Sequence, residues 1–173
     1  MPIVDATVDT FRYASVEQLK PILRVLTSIT WPCPAEAIPG IIDRLGWTLT
    51  ADRVNVKSDT GLPLNWRLGD FSRAHGEFTE VGFPVTDVVS KEDSQGLAVV
   101  RQTFPIMVGQ VESLVGPVSG TVQGTYLSAW WDLSSGGRIR VGSFSTGLQM
   151  QLLSQWISDV ERYEETHDMS AYE

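Results

Sequence analysis

The sequence is poor in the residues that most often carry chemistry. It has one cysteine, Cys33, and two histidines, His75 and His167, in 173 residues. A lone cysteine excludes an internal disulfide and a cysteine-based metal cage. Positive charge is scarce too: 13 Lys and Arg face 21 Asp and Glu, a net charge of -8. That sign argues against nucleic acid or an anionic membrane as the main partner, since both are polyanions. It favours a basic protein partner, or simple solubility. No apolar run approaches the roughly 18 residues of a membrane span. The opening MPIVDATVDTF places Asp5 and Asp9 where a signal peptide is basic and then apolar, so a cytoplasmic location is expected.

The usual catalytic signatures are missing as well. Gly142-Ser143-Phe144-Ser145-Thr146-Gly147 has the wrong spacing for a nucleophile elbow. No glycine-rich loop leads into a Lys-Ser or Lys-Thr pair, and the glycines from Gly116 to Gly124 open a strand instead of a helix. Zinc-binding H-E-x-x-H and EF-hand loops are absent. His75, with Glu77 and Glu80 nearby, is the one set suited to acid–base work, but no local group orients the imidazole. It reads better as a loop histidine. Cys33 lies between Pro32 and Pro34, which suits a packed thiol better than a nucleophile. No catalytic residue, metal or cofactor is expected.

What the chain does have is alternation. From Thr121 to Leu152 it reads as strand-like runs parted by turn signals, with Ile139 and Val141 alternating with Arg138 and Arg140. Leu148, Met150 and Leu152 alternate with Gln149 and Gln151. A period of two puts one face in the core and one in water, as in an antiparallel sheet. Ser134 to Gly137 supplies hairpin chemistry.

Upstream, Ser15-x-x-Gln18 opens a helix carrying Val16, Leu19, Leu23 and Leu26, with Pro21 expected to kink it or move its start. A second helix carries Ile38, Ile41, Ile42 and Leu45 and stops at Gly46. Strands are expected at 47–50, 53–57, 66–68 and 77–83, with loop at 72–76. Leu97, Val100, Phe104, Met107, Val108, Val111 and Leu114 mark the strongest helix, which Pro105 is expected to kink. Leu153, Trp156, Ile157, Val160 and Tyr163 mark a final amphipathic helix, whose stripe needs a sheet to bury it. The expected architecture is a single α+β domain over 1–173, with an antiparallel sheet of six to seven strands packed against several helices. An acidic tail from about 164 to 173 is expected to be flexible.

Two features suit a partner surface. Trp130-Trp131 sends its rings to opposite faces of a strand, so one is core and the other is exposed or covered by a helix. Asp59 to Arg67 combines a Gly/Pro loop with Trp66 and Arg67, residue types that carry interface energy.

Taken together, FRYASVEQLKPIL, TWPCPAEAIP, SDTGLPLNWRLGDFSRAHGEFTEV and WWDLSSGGRIRVGSF give the chain a texture that resembles the actinobacterial immunity factors for the tuberculosis necrotizing toxin. The resemblance implies an antitoxin that binds a secreted NAD-glycohydrolase one-to-one in the cytosol and blocks its NAD pocket, with no catalysis of its own. It transfers no interface residues. On residue chemistry the first candidate surface is Asp59, Thr60, Gly61, Leu62, Asn65, Trp66 and Arg67, with Asp59 imitating a phosphate. The second is the hairpin tip of Asp132, Ser135 and Gly136. A secretion chaperone or scaffold that binds a client protein is the alternative.

Overall fold

A computed structural model describes residues 6–52 and 56–167. The expected strand at 53–57 falls partly, and the tail from 168 onward wholly, outside the described residues. The chain runs α1 (Val16–Thr27), α2 (Ile38–Leu45), β1 (Thr48–Asp52), β2 (Val56–Asp59), β3 (Leu68–Ala74), β4 (Glu77–Pro84) and α3 (Ser94–Val115). It continues with β5 (Gly120–Gln123), β6 (Leu127–Asp132), β7 (Arg138–Phe144), β8 (Gly147–Leu153) and α4 (Gln155–Thr166). All eight strands join one antiparallel sheet in the order β1-β2-β3-β4-β8-β7-β6-β5. This is the expected α+β domain. The run from Thr121 to Leu133, expected as one strand, is two, parted at Gly124 to Tyr126. β3 also extends through Ala74, where loop was expected.

The order is that of two meanders of four strands each. β1 to β4 follow α1 and α2, and β5 to β8 follow α3. The last strands of the two meanders, β4 and β8, pair with each other from Glu80–Leu153 to Pro84–Gln149.

Local signals set the helix ends. Ser15 Oγ accepts from the Gln18 amide at 3.2 Å while the Gln18 side chain accepts from the Ser15 amide at 2.8 Å, the reciprocal box expected at the start of α1. Pro21 lies inside α1. Gly46 takes the left-handed conformation that closes α2, at φ 71°. Leu19, Leu23 and Leu26 of α1, Ile38, Ile41 and Ile42 of α2, and Val100, Phe104, Met107 and Val111 of α3 are buried on one face of the sheet. They meet Phe71, Phe78, Val81 and Phe83 in the first meander and Trp131, Ile139, Val141, Met150 and Leu152 in the second. The packing of Trp47 edge-on against Phe71 and Phe83, with ring centroids 6.0 and 5.1 Å apart, continues this core under the first meander.

α4 departs from expectation. It follows β8 and lies over the other face of the sheet, but inside out. Trp156, Val160 and Tyr163 are 60%, 44% and 56% exposed, whereas Ser158, Glu161 and Arg162 turn towards the sheet. The reason lies in β7. Arg138 and Arg140 occupy the face opposite Ile139 and Val141, and a helix laid over two arginines finds more in Glu161 and Glu165 than in an aromatic stripe.

Candidate functional site

The face opposite α1 to α3 carries the polar half of every alternating strand. Directly opposed residues in the ladders form a row across the sheet: Lys57, Asp70, Gly82, Gln151, Arg140 and Trp130. Glycine at 82 leaves room in mid-row, since a Cβ there would meet the Gln149 side chain at 3.3 Å. Two hollows open along the row. One, of about 350 Å³, is lined by Lys57, Trp66, Asp70, Glu80 and Phe144 among others. Its neighbour, of about 580 Å³, lies between α4 and the β5–β6 edge and is lined by Tyr126, Trp130, Arg140 and Glu164 among others. Gln149 and Gln151 line both, so the two form a continuous trough.

The charges in the trough are unevenly settled. Burial pushes the Glu80 carboxyl above its ordinary value, and the charges of Asp70 and Glu161 push the same way against the pull of Arg140. One carboxylate oxygen of Asp70 is shut away from solvent without a hydrogen-bond partner among the described residues. The other end is neutralised. Arg138, fully buried, donates to Asp132 at 2.9 Å, Glu161 at 3.0 Å and Glu165 at 2.6 Å, and stacks 5.5 Å from the Trp130 ring. Arg140 pairs with Glu161. Burial opposes the Arg138 charge, but the bonds to Glu165 and Asp132 outweigh it and hold the guanidinium above its ordinary range. Trp130 is thus the half-buried wall of the trough, while Trp131 is core and donates its indole N–H to the Gly116 carbonyl at 3.0 Å. Gly120 must lack a side chain because the Trp130 ring lies across it, 2.3 Å from where a Cβ would sit.

The loop between β2 and β3 borders the smaller hollow through Trp66 and Leu68. Asp59 accepts from the Gly61 amide at 2.8 Å and from Arg67 at 3.0 Å. Thr60 and Leu62 are buried, at 8% and 5% exposure, so the loop shows solvent Gly61, Pro63 and Arg67, with Asp59, Asn65 and Trp66 half-buried. Asn65 clamps it from below: its side chain donates to the Val88 carbonyl and accepts from the Val88 amide, both at 2.9 Å. The Asn65 amide donates to Asp87 at 2.8 Å, and the same buried carboxylate accepts from the Arg12 amide at 2.8 Å and its side chain at 3.2 Å.

The second candidate surface stands elsewhere. In the strand register Asp59 lies level with Leu68, at the end of β3 beyond the Asp70–Gly82 pair, whereas Asp132 lies level with Arg138, Leu153 and Glu80. The β2–β3 loop and the β6–β7 tip therefore cap opposite ends of the sheet and do not form one site. The tip is also drawn onto α4. Asp132 binds Arg138 and Arg162, the Gly136 carbonyl accepts from Arg162 at 2.8 Å, and Ser135 accepts from the Gly137 amide at 3.4 Å. Burial alone would raise the Asp132 carboxyl, but hydrogen bonds from Arg138 and Arg162 bring it below its ordinary value.

His75 occupies an exposed left-handed position, φ 54°, at the β3–β4 turn. Cys33 is buried, and burial pushes its thiol up. Among the described residues no group of three or more His, Cys, Asp or Glu is placed to hold a metal ion, and no helix is long and apolar enough to cross a membrane.

Asp70 and Asp87 were not singled out from the sequence, and Glu80 was named only as a neighbour of His75. The alternation of Gln149 and Gln151 did signal a wet face, but their meeting with Asp70 and Glu80 depends on β4 pairing with β8, and no local pattern states that.

These features define a single-domain α+β protein with one sheet face sealed by helices and the other left as a polar trough. The chain belongs to DUF6301, a family of unknown function whose model matches residues 17–154. That match spans α1 through β8, and α4 begins just past it. No curated protein and no solved structure matches the chain.

Proposed function

We infer that this protein is an immunity protein: it binds a folded, secreted NAD-glycohydrolase domain one-to-one in the cytosol and covers its NAD pocket. The observation that carries the reading is the β2–β3 loop, a charged loop fixed by hydrogen bonds and set beside a hollow. Binding costs conformational entropy, and a loop already fixed by Asn65 and Asp87 loses little more when it docks. An enzyme that holds a dinucleotide pyrophosphate presents cationic groups. Asp59 offers a carboxylate to such a pocket, with Arg67 as its resident counter-ion that the pocket must displace or share. The net charge of -8 draws a cationic surface in over long range and speeds capture. The resemblance to the immunity factors of the tuberculosis necrotizing toxin supplies the identity of the target.

The reading expects a secreted NAD-hydrolysing domain to be encoded beside this chain's gene, and the test is inhibition of that domain. Stoichiometric protein is expected to abolish NAD turnover with nanomolar affinity. Asp59→Arg is expected to weaken binding by at least tenfold without lowering thermal stability by more than a few degrees. Absence of binding at micromolar concentrations would sink the reading. The chaperone alternative is marked by a different outcome, namely binding to an unfolded client segment but not to the folded domain.

A further inference from the structure

We propose that the outer face of α4 is a docking ridge that enters an apolar groove, edged by lysine or arginine, on the enzyme domain that this protein inhibits. At about 100° per residue, Trp156, Val160 and Tyr163 fall within one narrow stripe of the helix. All three are exposed, and the His167 ring stacks on Tyr163 with centroids 4.0 Å apart, extending the stripe by a further position. The helix cannot roll to hide them, because Arg138, Arg140 and Asp132 hold its opposite side through Glu161, Glu165 and Arg162. A stripe of two aromatics and a valine fixed outward by an ion-pair network has the i, i+4, i+7 spacing with which helices fill grooves.

Charge selects the occupant. Asp159 flanks the stripe on one side and Glu164 on the other, and both are exposed. Asp159 is tied to Arg162 at 2.8 Å, whereas Glu164 has no ion pair among the described residues. A second copy would bring acidic flanks against acidic flanks across an apolar seam. A groove with cationic lips meets both flanks with opposite charge. The stripe lies across the sheet from the loop, and the hollows bridge the two: Glu164 lines the larger one, which shares Gln149 and Gln151 with the hollow beside Trp66. One partner seated on the loop can therefore reach the ridge.

The inference takes the partner's identity from the inhibitor reading, and the surface from α4 alone. The experiment uses the full chain and a catalytically inactive form of the secreted enzyme domain. Trp156→Ser combined with Tyr163→Ser is expected to weaken the complex at least tenfold, mainly through faster dissociation. Glu164→Lys, an exposed change that leaves the fold intact, is expected to slow association severalfold and flatten its salt dependence. If both variants bind as the parent does while Asp59→Arg binds weakly, the ridge is idle and the inhibitor reading stands. If the parent forms no complex, both fall. Sedimentation supplies a separate check: a dimer of the parent that Trp156→Ser abolishes would make a second copy the occupant and overturn the proposal.

Discussion

At the scale of single residues, two carboxylates stand in different surroundings, Asp87 fully buried and Glu80 half-buried. Asp87 accepts from the Arg12 and Asn65 amides and from the Arg12 guanidinium. Replacing it with alanine leaves two amides without acceptors, each costing about 1–3 kcal/mol where water cannot reach. Asp87→Ala is expected to lower the unfolding free energy by about 2–4 kcal/mol, and to speed hydrogen exchange in residues 60–66 first. An unchanged exchange pattern in that loop would show that Asp87 does not hold it. Glu80 affects stability through its proton. Its folded carboxyl sits above the unfolded value of 4.5, so the fold binds a proton more tightly than the unfolded chain does. Stability therefore falls as pH rises from that value through the folded one, and the penalty is complete above it. Glu80→Gln is expected to raise the denaturation midpoint at neutral pH and to lose that advantage in acid. Equal gains at both pH values would rule out ionisation as the cause.

At the scale of elements, the sequence was most legible where a local rule sufficed. The capping box of Ser15 and Gln18 placed α1, Gly46 ended α2, and the two-residue period of β7 and β8 separated core from solvent face. It misled where the answer lay on another element. The stripe of Trp156, Val160 and Tyr163 predicts an inward apolar face for α4, and only the placement of β7 beneath the helix reverses it. For the same reason a hairpin tip that looked like an exposed loop proved to be fastened through Asp132 and Gly136 to Arg162. Arg138 is the key to this arrangement. Arg138→Leu removes the charge that three carboxylates share, and breaking such a buried set costs roughly 3–5 kcal/mol when solvent cannot compensate. Here Asp132, Glu161 and Glu165 keep partial access to water, at 37%, 22% and 44% exposure, so the expected loss is less, about 2–3 kcal/mol. Hydrogen exchange is expected to show α4 released while the sheet stays protected. Unaltered protection in α4 would mean that something besides the arginine retains it.

At the scale of the whole molecule, the sheet divides naturally between its two meanders. Within each, every strand pairs with its neighbour in sequence, and among the described residues the β4–β8 ladder is the one strand pairing that joins the two meanders. The helical layer crosses the same division where α1 packs on α3. The trough straddles it, with Asp70 and Glu80 contributed from one side and Gln149, Gln151 and Arg140 from the other. Any ligand seated there therefore reports on the joining of both sides.

The connection between those sides is a polar turn around Ser90 to Asp93, exposed at Lys91 and Glu92. A chain cut between Ser90 and Lys91 loses no strand pair and no helix. Co-expressed as separate polypeptides, the two pieces are expected to recombine into a soluble heterodimer, each zipping its bare edge strand to the other, whereas either piece produced alone aggregates. The protein would then serve as its own complementation reporter, with reassembly scored by co-purification.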